Sequence, residues 1–231
     1  MERPQKELER FTLQKIIKDI LYVLNLEQGM GYTIKQLLVA PGATIQEYLF
    51  EDRNRLTRPF QLIVLLVAIA TFLTLLVLPE MDELIEELHK TEGWDNFSPA
   101  VQESMEWFTK NMKQYFNVFF LAGIPFISIA TFLIFRKSKY YYAEHLIINT
   151  YLSSPQTLFF ILYVPFLKAS GFFAIFQIIP VVVYSIYAYR QIFKEGLWDT
   201  IWKSTLCFLL YQFIFGLAMM LLFGILVLVK S

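Results

Sequence analysis

Cysteine is almost absent from this chain. Cys207 is the only one in 231 residues, which excludes an intramolecular disulfide and any thiolate zinc cage. Histidine is nearly as scarce: His89 and His145 form no HxxxH pair, and neither a CxxC nor a glycine-rich phosphate loop occurs. No nucleophile–base set is evident, so the sequence predicts neither an enzyme nor a bound cofactor. Charge is thin as well. Asp, Glu, Lys and Arg supply 17% of positions, 20 basic against 20 acidic, a balance that excludes a nucleic-acid partner. Low-complexity tracts are missing, and no signal peptide is expected, because the first apolar run lies far in behind mixed charge.

What the chain has instead is apolar mass. Hydrophobic residues make up 56%, with 23 Phe and 13 Tyr, and the charges are spaced to leave long apolar runs of bilayer-spanning length. The expectation is an all-α polytopic membrane protein with five transmembrane helices and an N-terminal cytoplasmic helical segment. The segment covers residues 1–59, and the spans are placed at 60–78, 115–135, 143–167, 172–189 and 206–229, with an external acidic helical loop at 79–114. Lys and Arg crowd the segment before the first span, the turn after the second and the loop after the fourth. By the positive-inside rule the N-terminus is then cytoplasmic and the C-terminus periplasmic, in a bacterial inner membrane.

Within the leader, Phe11 to Leu26 shows helical apolar spacing and ends at Gly29 and Gly31. Thr33 reads as the N-cap of a short helix halted by Pro41-Gly42, and Thr44 as the cap of a second that runs to about Leu56. Arg53, Arg55 and Arg58 sit directly before the first span. They read as an interfacial anchor, or as a contact for a lipid headgroup or an acidic partner. Ser98-Pro99 opens a helix expected to run almost unbroken to Phe135, with kinks at Gly123 and Pro125. Its apolar stripe from Val101 to Phe116 is expected to be covered by Leu84, Ile85 and Leu88 or by another subunit.

The third span is the most polar. His145, Asn149, Ser153 and Gln156 recur at intervals that place them on one helical face. In lipid such groups must face protein or water. They read either as interhelical hydrogen-bond glue, with Gln177, Gln212 or Asn117 as partners, or as the lining of a polar path. Glu144 beside His145 is a candidate proton-responsive neighbour.

The run Thr33 to Pro59, TIKQLLVAPGATIQEYLFEDRNRLTRP, carries a pattern of Thr33, Leu37, Pro41, Gly42, Ile45, Tyr48, Arg53 and Pro59 ahead of an apolar span, with Tyr142-Ala-Glu-His145 later. It resembles a bacterial membrane family named only as domain of unknown function 3667. Many members of that family begin with a Cys-rich zinc ribbon; this sequence has none, so the resemblance implies no metal role here and supplies no activity. The function expected is therefore binding: a scaffold, regulator or accessory that acts through its cytoplasmic juxtamembrane helices. The alternative is a small oligomeric channel, pore or transporter, including a membrane effector or accessory of an anti-phage system. Expected partners are membrane lipids, a cytoplasmic or membrane protein, and further copies of the chain.

Overall fold

Pro41 and Pro59 each begin a helix, because proline in a first turn has no N–H to lose and a φ already suited to the helix. Pro41 also halts the helix before it, as expected, since Ala40 ahead of it is non-helical (φ −142°, ψ 60°). The chain is described by a computed structural model over residues 29–77, 86, 89–90, 93–166 and 172–230. The helix expected at 11–26, and Leu84, Ile85 and Leu88, lie outside these residues. Among the described residues there are eight α-helices: α1 Met30–Val39, α2 Pro41–Phe50, α3 Pro59–Val77, α4 Pro99–Gln114, α5 Phe116–Ile134, α6 Tyr142–Tyr163, α7 Phe172–Phe193 and α8 Leu197–Lys230. No strand occurs among the described residues, so the all-α expectation holds there.

Helix α6 is the axis of the bundle. It packs on α1, α2, α3, α5 and α7, and every side chain from Ile148 to Pro155 is buried. A helix walled in by protein can carry hydroxyls, since these bond to carbonyls one turn back. Thr150 donates to Leu146 O (2.6 Å), Ser153 to Asn149 O (2.8 Å) and Thr157 to Ser153 O (2.8 Å). Helix α3 lies alongside through Leu62, Leu66 and Ala70, a three- and four-residue stripe, and leaves Val64, Phe72 and Leu76 outside.

Three of the described helices are long and apolar enough to cross a membrane: Pro59–Val77, Asn117–Ile134 and Leu197–Val229. The other two expected spans read differently. Helix α6 owes its polarity to being enclosed, and the described apolar stretch of α7, Ile178–Phe193, is shorter. Helix α8 opens with exposed Trp198 and Trp202, and its 34 residues extend for about 50 Å, well past a hydrocarbon core of about 30 Å.

Several local expectations are corrected. Helix α1 starts at Met30 behind Gly29, whose φ of 101° suits glycine, and Thr33 is inside it rather than at its cap. Helix α2 already begins at Pro41. Thr44 sits one turn in, with its hydroxyl donating to Ala40 O (2.8 Å). The helix expected to run almost unbroken from Ser98 to Phe135 is interrupted at one residue, Tyr115 (φ −108°, ψ 20°), near which the Asn117 side chain takes the Val118 N–H (2.8 Å) and competes with the helical ladder. Pro125 lies inside α5, which continues through it. The apolar side of α4 packs on α8 through the edge-on pair Phe108–Phe223 at 6.4 Å.

Candidate functional site

Two features built by α1, α2, α5, α6 and α7 stand out. The first is the seat of the α1–α2 hairpin. A helix ends with carbonyls that have no intrahelical donor, and at the end of α1 two tyrosines of α7 supply donors. Tyr184 donates to Leu37 O (3.0 Å), and Tyr187 donates to Val39 O. At the start of α2 the Gly42 N–H donates to Gln191 Oε1 (3.2 Å). A Cβ on Gly42 would meet Gln191 Cβ at 2.6 Å, so only glycine lets the two helices approach this closely. On the α6 side Tyr151 donates to Thr57 O (2.8 Å), the Thr57 N–H donates to Thr33 Oγ1 (3.0 Å), and Tyr48 meets the Tyr151 ring edge-on at 5.1 Å. Leu37 and Ile45, wholly buried, join the central core.

The second feature is the polar stripe. His145 and Asn149 come together on Thr131 of α5, His145 Nδ1 at 3.1 Å and Asn149 Nδ2 at 2.8 Å from its hydroxyl oxygen. Thr131 has one hydroxyl hydrogen, which goes to Ser128 O (3.1 Å). With its hydrogen there, its oxygen is left to accept from Asn149 and, in the Nδ1–H tautomer, from His145. Asn149 Nδ2 also reaches His145 O (2.8 Å), and Tyr189 of α7 donates to Asn149 Oδ1 (2.9 Å). One carboxamide thus ties three helices. His145 Nε2 has no partner among the described residues; its ring stacks on Phe193 (5.6 Å) and meets Phe132 and Tyr140 edge-on. Ser153 bonds to its own helix, and Gln156 donates to Ser185 Oγ of α7 (3.0 Å), away from the cluster.

Two of the partners expected for the stripe, Gln212 and Asn117, are not those used. Gln212 is exposed on α8, Asn117 serves Val118, and the Gln177 side chain lies outside those described. Glu144 turns from His145 to accept the Tyr141 N–H (2.7 Å), which makes it a helix cap. Arg53, Arg55 and Arg58 are all exposed. Arg55 pairs with Glu47 (3.3 Å) and lies over the Tyr32 ring (5.1 Å), and Arg53 Nη2 reaches Leu49 O (3.5 Å). Sequence reading missed Thr131, Tyr184, Tyr187, Tyr189 and Gln191. Tyrosine near a membrane surface is ordinary, so its type alone did not mark those that cap α1.

No curated protein and no solved structure matches the chain. Residues 27–79, which hold α1, α2 and α3, match the family model described as protein of unknown function DUF3667.

Proposed function

We propose that the chain is a multi-pass protein of a bacterial inner membrane, with five spans, a cytoplasmic N-terminus and a periplasmic C-terminus, that acts by binding as a scaffold, regulator or accessory. The observation that carries this reading is the bonding of Asn149. Its carboxamide is shared among Thr131, His145 O and Tyr189, so the most polar point of the bundle is spent on joining helices. Polar groups that line a path for ions or solutes must turn lone pairs and hydrogens to that path; the Asn149 carboxamide turns its own to neighbouring helix atoms. What the bundle offers outward at its basic end is the exposed stretch Phe50–Arg55 beside the hairpin.

A channel, pore or transporter remains the competing class. It would place its path between copies, where the uncovered apolar length of α8 is available for association. A cysteine at Ser153, in a Cys207→Ala background, separates the two. Under the binding reading it resists a membrane-impermeant thiol reagent in the inserted protein. Modification at a rate close to that of a cysteine at Asp52 would replace this reading with a water-filled path.

A further inference from the structure

The family-matched hairpin is not stacked on top of the bundle; it is let into its side. Helix α7 sets the scale. Its basic end carries Arg190 and Phe193, and Tyr187 and Tyr184 lie about 9 and 13 Å back along the axis from Phe193. Side chains of a helix lean toward its N-terminus, so the carbonyls these tyrosines hold, Val39 O and Leu37 O, lie at least that far from the end. Gly42, bonded to Gln191, lies higher, and Phe50, stacked with Tyr140 at 6.2 Å, higher still. The other end of the hairpin is held beside Arg55, whose carbonyl oxygen lies 3.2 Å from the position of a Gly29 Cβ. The chain thus enters from the level of the arginines, dips to Leu37, and returns.

The sequence suits that depth. From Gln36 to Gln46, QLLVAPGATIQ, there is no charge. The outward residue at the tip, Val39, is 62% exposed, and it sits beside Tyr187 at the head of an exposed apolar stripe on α7, Val183 and Ile179. The tip therefore continues a surface that faces lipid if α7 spans the bilayer. The capping fits as well. A carbonyl without a donor is costly in hydrocarbon, and the tyrosine hydroxyls fall on the carbonyls that a helix ending inside a leaflet would strand. Lys35, exposed one turn before Val39 on α1, has a stem long enough to return its ammonium to the headgroups.

We propose that α1 and α2 form a re-entrant hairpin whose tip, Val39 to Ala43, is seated in the cytoplasmic leaflet at the boundary between headgroups and acyl chains, with lipid as its occupant. This rests on the reading of α7 as a span. It makes the family segment a lipid-contacting element clamped by Tyr184, Tyr187 and Gln191.

The test uses the full chain with Cys207→Ala, reconstituted in vesicles of phosphatidylcholine and phosphatidylglycerol. An environment-sensitive fluorophore is attached to single cysteines at Val39, Asp52 or Phe213, and some vesicles carry lipids with a doxyl quencher near the top of the acyl chain. The Val39 and Phe213 probes are expected to be blue-shifted and to lose fluorescence to the quencher, and the Asp52 probe to report water and lose none. A Val39 probe as wet as that at Asp52 would overturn the proposal. So would a blue-shifted Val39 probe that the lipid cannot quench, since a protein would then cover the tip. Loss of quenching at Phe213, which is 69% exposed on α8, would instead remove the membrane-spanning reading itself.

Discussion

Gly42 and Gln191 touch backbone to backbone: a Cβ at residue 42 would lie 2.6 Å from Gln191 Cβ and 2.9 Å from its carbonyl carbon. Backbone cannot give way as a flexible side chain does. Gly42→Ala is therefore expected to lower stability by about 1–3 kcal/mol, the usual range for overpacking, and to lower the thermal midpoint in detergent. Gly31→Ala is the control, because nothing lies within 4 Å of a Cβ there; it is expected to be close to neutral. Equal midpoints for the two variants would remove the close approach of α2 and α7.

Asn149→Leu takes away the acceptor of the Tyr189 hydroxyl and one donor to Thr131. Hydrogen bonds between helices in a membrane average about 0.6 kcal/mol each, so a loss of about 1–2 kcal/mol is expected, with insertion unchanged. Adding Tyr189→Phe should cost less than the sum of the two single changes, since each removes the same bond. Strict additivity in unfolding measurements would show that the two residues do not interact.

Lys203 and Glu195 form an ion pair at the start of α8, about a quarter exposed, with Lys203 Nζ 5.4 Å above the Phe135 ring. The second Glu195 oxygen is buried without a hydrogen bond among the described residues. Lys203→Met then leaves a carboxylate with no counter-charge, and the loss should approach, without reaching, the roughly 3 kcal/mol of a fully buried pair. Lys203→Met with Glu195→Gln should be the more stable protein. If the double variant melts below the single one, the pair is not what holds this corner.

Topology has its own measurement. Reporter fusions after Lys139 are expected to behave as cytoplasmic and those after Ser231 as periplasmic. A cytoplasmic signal at Ser231 would leave an even number of crossings, and the five-span reading would fail.

Composition and the length of apolar runs determined by themselves that this chain is helical and that α3, α5 and α8 are built for a bilayer. Those properties are local: about twenty uncharged residues in register suffice, whatever they touch. Local chemistry also marked the polar face of α6, because four residues at helical spacing need no tertiary knowledge to be seen. What they bond to was decided elsewhere in the chain. Thr131 lies 14 residues before His145, and Tyr189 lies 40 after Asn149, separations that no periodicity encodes. The same holds for Pro41-Gly42. As sequence it reads as a break between two cytoplasmic helices; beside Gln191, Tyr184 and Tyr187 it becomes the tip of a hairpin let into the bundle. A turn motif fixes where the chain reverses, but how deep it lies depends on donors and clearance from another helix, and those exist only once the helices have packed.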